Sequence, residues 1–598
     1  MYKSKDFITA AVLAIVLSFV LFGNGIGGDF VFDDKFVIIG NPLIDSGFPD
    51  LWRIFSNPYH AFQPRSGLFR PLPIASYAFN WFIFGNSPVS FHVVNILLHA
   101  FASFLVFLVA YKLIGKRVAF LSMLLFLFLP IHVESITSIV GRAEILAFIF
   151  FTLALYFVLI EKYALAAGSF FFGLLSKETA IALVPTVLFL EVFLKKKKAK
   201  VILKNLLYFV PVLALYGLMR FAALGKYFLS NDATTVYNPI KFAPSLSGFW
   251  TSFKVFYLYL EKTFWPLPFS SDYSFNQIPL ITNPFSSFQS LAGMAIFAFL
   301  VWILIKKKNN AIGLAVAVFL FSYFIISNWV FKIGTIMGER LFYLPSFGLI
   351  LIIGMVVDVW LLKIKNAKLF LIPLVVVLTL YGGIIIQRNK AWLNEQNLFA
   401  SAYASAPNSA VNMTNMAYLS YIKKDYQDSQ KHLEDVLAIA PNHVPTLNLI
   451  GQVYKKLGEY QKAEESWKRA IELRDDYLRA YLSLGILYYE SGYPKSAEYI
   501  LTKAVEIYPR WNEIFVLSLT KINLGKYDEA VDVIKKQFGD NPERRELKFA
   551  IGLAYYRKGD RGLADFYLSQ AKSPQITMEK FMETLDRSSI FKIETQTY

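Results

Sequence analysis

The sequence predicts an all-α protein in two parts, a polytopic membrane helix bundle over 1–390 followed by a helical-repeat solenoid over 391–598. Three observations predict it. Hydrophobic residues make up 56% of the 598-residue chain and aromatics 17%, more than a water-soluble domain carries. Apolar runs near the length needed to cross a hydrocarbon core of about 30 Å recur up to residue 390 and then stop. Beyond that point a periodic pattern of glycine, alanine and proline takes over.

The apolar runs cover 7–22, 91–114, 118–130, 143–160, 163–176, 178–194, 203–221, 290–305, 311–328, 341–362 and 369–387, which predicts about eleven spans, several of them short. Lys3 and Lys5 precede the first run, and Lys116 and Arg117 separate the second from the third. Lys195 to Lys198 with Lys200, Lys306 to Lys308, and Lys363, Lys365 and Lys368 follow the sixth, eighth and tenth. The positive-inside rule puts all of these on the cytoplasmic side. The exterior or lumenal side then receives loops 23–90, 131–142, 222–289 and 329–340 and the Ser176-Lys177-Glu178 turn, together with the repeats. That side is the plasma-membrane exterior or periplasm in a bacterium and the endoplasmic-reticulum lumen in a eukaryote. Lys3 and Lys5 ahead of an apolar run with Gly23 and Gly25 behind it also fit a signal peptide. An uncleaved anchor is favoured, because cleavage would remove the span that ties loop 23–90 to the bundle.

Acidic and basic residues balance from 391 onward, so the net charge of +17 belongs to the membrane part. It marks cytoplasmic loops and contact with anionic lipids, and argues against nucleic acid as a partner. With no cysteine in the chain, disulfides, thiolate nucleophiles and zinc-thiolate sites are excluded.

From about 392 a period near 34 residues, marked by Lys424, Gly458, Gly492, Gly525 and Gly559, identifies tetratricopeptide repeats. Small Ala463, Ala497, Ala530 and Ala564 let paired helices approach, and Pro407, Pro441, Pro509 and Pro542 end them. About five pairs stack into a superhelix with a concave face, and 392–406 reads as the second helix of an incomplete first repeat. Such a face suits an extended polypeptide. A spacer or oligomerisation role is the plainer reading.

The residues able to carry chemistry gather in the exterior loops. Asp33 and Asp34 are adjacent carboxylates among aromatics in Phe30-Val31-Phe32-Asp33-Asp34, where repulsion and burial can hold one as a base; solvated loop aspartates are the alternative. His132 and Glu134, then Arg142 and Glu144, flank the third and fourth spans and suggest an anion or metal site, although the i, i+2 spacing of His132 and Glu134 matches no strong metal signature. Lys177 and Glu178, Glu339 and Arg340, and Arg70 stand at exterior span ends, where ionisable groups are costly and arginine is suited to a lipid phosphate. Structural ion pairing is the competing reading. His92, Asn95 and His99 share one helical face and read as interhelical hydrogen bonds. Spacing leaves the role of Asp272, in Ser270-Ser271-Asp272-Tyr273-Ser274, undetermined.

Taken in order, Phe30–Asp34, Phe69-Arg70-Pro71-Leu72, Phe91-His92-Val93-Val94-Asn95 with His99, Pro130–Glu134 with Val140–Glu144, Ser176-Lys177-Glu178, Ser271–Ser274 and Glu339-Arg340-Leu341-Phe342-Tyr343 through Ser346 resemble the motifs of the transmembrane and tetratricopeptide-repeat O-mannosyltransferases, a group of the GT-C glycosyltransferases. The resemblance spans nearly the whole chain, and its shorter loops and fewer repeats than in animal members point to a microbial relative. It implies a GT-C-type bundle and an inverting transfer of a sugar, mannose in that family, from a polyprenyl-phosphate donor to Ser/Thr hydroxyls of a polypeptide. It further implies Asp33 as the general base with Asp34 in support, and Arg70, Arg142, Lys177 and Arg340 on donor phosphate or sugar. His132, Glu134, Glu144, Glu178, Asp272, Glu339 and Tyr343 support the site. Some GT-C enzymes use a divalent metal and others none, so a metal stays open. Two other functions stand beside this one: a non-enzymatic membrane scaffold recruiting partners through its repeats, and a GT-C enzyme acting on a lipid or glycan.

Overall fold

The computed structural model describes residues 4–39, 41–44, 48–60, 64–230, 234–363 and 367–571. No strand occurs among them. After α1 (Ser4–Phe22), loop 23–90 carries the short α2 (Leu51–Phe55) and α3 (Pro71–Phe84). The bundle continues through α4 (Pro88–Leu113), α5 (Lys116–Leu127), α6 (Val133–Thr137), α7 (Arg142–Leu159), α8 (Tyr163–Ser176), α9 (Leu183–Phe189), α10 (Ala199–Leu206) and α11 (Val210–Leu224). Then come α12 (Ser245–Phe264), α13 (Phe288–Lys307), α14 (Ala311–Ile326), α15 (Tyr343–Lys363) and α16 (Ala367–Asn389).

The chain is an integral membrane protein. Among the described residues 7 helices are long and apolar enough to cross a bilayer, and α5 with the stretch through α6 forms one further pair bent by 55°. The remaining expected spans fall short for a physical reason. α8 and α14 have only 14 and 16 residues, and run 178–194 is broken into a 3-10 turn, α9 and a π turn. Short or broken helices of this kind are tolerated where neighbours satisfy the freed backbone groups. α12 lies in loop 222–289, to which hydropathy assigned no helix, because Lys254, Glu261 and Lys262 interrupt an otherwise aromatic run. Its Phe256 packs against Phe297, Phe319 and Tyr323, and Tyr259 stacks on Phe342 at 5.0 Å.

The basic loops hold carboxylate partners of their own. Lys116 pairs with Asp6, Arg117 with Asp358, and Lys195 and Lys197 with the buried Glu191. The acidic loops meet one another, as described below.

By internal contacts the chain divides into one unit ending at Asn412 and a second beginning at Met413. The first unit continues past α16 because that stretch is bonded to the long loops. Asp29 N–H donates to Leu393 O at 2.9 Å and Lys35 pairs with Glu395 at 2.7 Å. Asn276 N–H donates to Asn408 O at 2.8 Å, and Ser409 Oγ to Asp272 Oδ1 at 2.7 Å.

The repeats comprise α17 (Glu395–Ser405), α18 (Ala410–Ile422), α19 (Tyr426–Ile439), α20 (Val444–Leu457), α21 (Tyr460–Leu473), α22 (Leu478–Glu490), α23 (Pro494–Ile507), α24 (Trp511–Asn523), α25 (Tyr527–Phe538), α26 (Arg545–Lys558) and α27 (Arg561–Ala571). α17 stands alone, and the rest pair in order. The residues that mark the period end the first helix of each pair with left-handed φ values of 64° at Lys424, 82° at Gly458, 79° at Gly492, 75° at Gly525 and 97° at Gly559. Glycine adopts this conformation without steric cost, whereas Lys424 bears a strain of about 1 kcal/mol. Ala463, Ala497, Ala530 and Ala564 are buried in the pair interfaces.

Candidate functional site

Asp33 and Asp34 are held in opposite directions by the backbone that precedes them. Phe32 has φ 52°, a left-handed value for a bulky residue, and its ring meets Phe399 edge-on at 6.2 Å. Strain of this kind persists only where the surroundings over-determine it, and it turns the chain so that neighbouring side chains diverge. Asp34 points inward and is fully buried; its Oδ1 accepts from Val140 N–H at 2.9 Å and its Oδ2 from Val31 N–H at 3.2 Å. Burial pushes its carboxyl up from 3.8 to about 7, against those two donors, while the charge of Asp33 adds a smaller upward push. Asp33 points outward, its side chain 38% exposed, and its Oδ2 accepts from Arg340 Nη1 at 3.2 Å.

Arg340 lies at the start of the 3-10 turn that leads into α15, and Glu134 of α6 fixes it twice. Glu134 Oε2 accepts from the Arg340 backbone N–H at 2.9 Å, and its Oε1 lies 3.5 Å from Nη1. Glu134 is buried, whereas the Arg340 side chain is 32% exposed. Tyr259 steadies the same turn through its hydroxyl, 3.1 Å from both N and O of Gly338. The adjacent Glu339 faces the other way and is buried, accepting from Ser270 N–H at 2.8 Å and from Tyr273 OH. Its partner charge is Arg388 at 3.9 Å.

Two further ion pairs border this centre. Arg70, at the N-cap of α3, binds Glu178 through Nε at 3.1 Å and Nη2 at 2.9 Å, and its guanidinium lies over the Tyr59 ring. Lys177, at the end of α8, pairs with the buried Glu144 of α7. Lys177 is within electrostatic reach of Arg70 and Arg340, and Tyr59 of Asp33, Arg70 and Arg340. Loops far apart in sequence thus converge on one polar centre. Its cations are each matched by a carboxylate, with Asp33, Arg70, Glu178 and Arg340 on the accessible side.

A family model described as Tetratricopeptide repeat matches residues 408–476 and 444–510. The chain is 26% identical to Protein O-mannosyl-transferase TMTC1 of Homo sapiens, over 75% of this chain and 57% of that protein. It is 27% identical to Protein O-mannosyl-transferase F38B6.6 of Caenorhabditis elegans, over 72% of this chain and 63% of that protein. Its curated relatives are protein O-mannosyl-transferases. To the human O-mannosyl-transferase TMTC3 it is 22% identical over 90% of this chain and 68% of that protein. The chain therefore spans only 57% and 63% of the first two O-mannosyl-transferases it matches. Among solved structures, YrrB is 20% identical with a TM-score of 0.27, covering 31% of this chain and 98% of that one.

Within this polar centre, several expected site residues have other work. Arg142, expected on donor phosphate, is fully buried: Nε donates to Asn95 Oδ1 at 2.7 Å and Nη2 to Asn80 Oδ1 and Phe91 O at 3.1 Å, with the guanidinium 4.8 Å from the Tyr77 ring centre. These bonds use its donors among residues of α3 and α4. His132 is committed to Ser346 Oγ at 2.8 Å and Phe126 O at 3.1 Å, so it does not join Glu134 as a ligand pair. Among the described residues no three His, Asp or Glu side chains gather as a metal site. Tyr343 OH meets His99 Nδ1 at 2.7 Å, and Asn95 donates to carbonyls of Ile136, Ser138 and Ile139, which are the interhelical bonds expected of that helix face. Asp272 accepts from Ser274 N–H at 2.8 Å and from Ser409 Oγ, locking loop 222–289 to the stretch before α18. Sequence reasoning missed Tyr59 and Arg220, the latter 3.9 Å from Glu178. The signal for Arg220 was present, a lone arginine at the end of apolar run 203–221. Tyr59 carried none.

Proposed function

We propose that the chain is an integral-membrane glycosyltransferase that moves mannose from a polyprenyl-phosphate donor to Ser/Thr hydroxyls of exported or lumenal proteins, with the repeats holding the acceptor. The Asp33–Arg340 pair carries this reading. A carboxylate able to take a proton and a cation able to receive a phosphate face the accessible side 3.2 Å apart, where the acidic loops converge.

Asp33 accepts the proton of the acceptor hydroxyl as its oxygen forms the new bond to the anomeric carbon. The bond from that carbon to the donor phosphate breaks, and the electron pair leaves with polyprenyl phosphate, which gains a negative charge. Attack opposite the leaving group inverts the anomeric centre. Arg340 neutralises the developing charge and Arg70 and Lys177 add to the field, an arrangement effective in a water-poor site because charges interact strongly there. As Arg340 turns toward phosphate, Glu134 keeps its backbone in place and Asp33 is released as base. Asp34 supports by fixing the loop. The positive-inside pattern supports an exterior or lumenal side for this centre and for the repeats.

The test is mass spectrometry of exported proteins from cells carrying the wild type or Asp33→Asn at equal abundance. Hexose on Ser/Thr should appear with the wild type only. Equal modification in both would reject Asp33 as base.

A further inference from the structure

We infer that Arg220 is a reserve counter-ion: when the donor phosphate takes the fork of Arg70, the Glu178 carboxylate turns from Arg70 to Arg220. This rests on the proposed donor site and adds to it a positioning residue.

Arg220 is the lone charged residue of α11, near the end of that helix at Leu224. A charge in so apolar a helix is costly unless it finds partners inside the protein. Three bonds hold it, all to neutral oxygens: Nε donates to Phe228 O at 3.3 Å, Nη1 to Tyr216 OH at 3.3 Å and Nη2 to Gly67 O at 2.8 Å. Its carboxylate partner is Glu178, whose Oε1 lies 3.9 Å from Nη1, beyond hydrogen-bond distance.

Glu178 is divided unequally between the two arginines. Arg70 holds Oε2 closely, at 2.9 Å from Nη2 and 3.1 Å from Nε, but meets Oε1 only at 3.4 Å, and Oε1 is the oxygen near Arg220. The backbone keeps the two arginines together. Ser230 Oγ donates to Arg65 O at 2.6 Å, and at Gly67, with φ 64°, a Cβ would lie 2.0 Å from Ser230 O. The stretch that leads to Arg70 is thus clasped to the stretch that follows α11.

A phosphate bound by Arg70 uses the same fork that binds Glu178. Glu178, with its side chain 27% exposed, would then be a partly buried carboxylate without a counter-charge, a costly state. A shift of about 1 Å brings its Oε1 within hydrogen-bond distance of Arg220. The ion pair is exchanged and not broken, so two arginines sharing one carboxylate accept an anion with no charge left unmatched.

The test is a mutant cycle on the full chain in nanodiscs holding graded amounts of polyprenyl phosphate, with retained lipid read by native mass spectrometry. Arg220→Gln should weaken retention about tenfold or more, and adding Glu178→Gln should restore it, because no carboxylate then needs a new partner. Arg220→Lys keeps the charge without the fork, and should stay within about threefold of the wild type. Equal weakening by Arg220→Gln with and without Glu178→Gln would overturn the inference, as would undiminished retention by Arg220→Gln; either result leaves the donor site standing. Where Arg220→Gln does not fold, a loss in Arg220→Lys that Glu178→Gln leaves unchanged overturns it equally, and retention by Arg220→Lys supports it. No retention by the wild type would refute the donor reading itself, and this inference with it.

Discussion

Adjacent carboxylates expected to act as a unit divide the work between them. The carboxyl whose affinity for protons is raised is Asp34, mainly through burial, and it is out of reach of any substrate. Its role is to tie loop 23–90 to the turn before α7. A carboxyl with a raised folded-state pKa stabilises the fold fully below its unfolded value, and that contribution is lost as pH rises through the folded one. Between about pH 4 and pH 7, then, this group lowers stability as pH rises. The difference in melting temperature between the wild type and Asp34→Asn should shrink across that window, because the amide cannot ionise. A constant difference would show that Asp34 is ionised when folded. The arginines divide in the same way. Removing buried Arg142 leaves Asn95, Asn80 and carbonyl acceptors unpaired, so Arg142→Ala should cost about 3–5 kcal/mol or fail to fold. Arg340→Gln loses a partly exposed pair with Asp33 worth about 1 kcal/mol or less, while the glutamine amide keeps a donor for the buried Glu134, so the variant should melt near the wild type while transfer falls about 100-fold or more. Sequence placed all of these residues in the correct loops. It could not say which arginine turns inward, because that depends on Asn80, Asn95 and Phe91 meeting across α3 and α4.

At the scale of elements, the period of the repeats was legible because one turn per pair demands a left-handed residue. Lys424 breaks the glycine pattern yet takes the same conformation. Lys424→Gly should therefore stabilise the repeat part by about 0.5–1 kcal/mol, seen as a higher melting temperature. In the bundle, α14 and α15 approach backbone to backbone at Gly348, where a Cβ would lie 2.4 Å from Phe319 N and 2.5 Å from Ala315 O. Gly348→Val should force these helices apart and cost about 1–3 kcal/mol or more, since a small residue is what permits such contact in a membrane. The helices that sequence rendered poorly are those whose packing overrides hydropathy. α12 is set by a ring cluster with α13, α14 and the turn before α15 despite its charges, and run 178–194 breaks its regular turns.

For the whole molecule, composition changes near residue 390, whereas the first compact unit ends at Asn412. Loop 222–289 explains the difference: its residues 272–277 are bonded to Ser409, Asn408 and Ala410, so a chain stopped at 388 would strip the loop of partners. A chain stopped after Lys424 keeps them. It should still transfer sugar to short Ser/Thr peptides and lose folded or long acceptors, and unchanged modification of proteins would remove the repeats from acceptor binding. The central claim rests on transfer itself. Purified full-length chain would be incubated with labelled polyprenyl-phosphate mannose and a mixture of exported proteins, beside Asp33→Asn and Arg340→Gln variants matched for melting temperature. The account predicts label on Ser/Thr with the wild type, none with Asp33→Asn and a severe loss with Arg340→Gln. Label carried equally by all three, or by none with no donor binding, would contradict it.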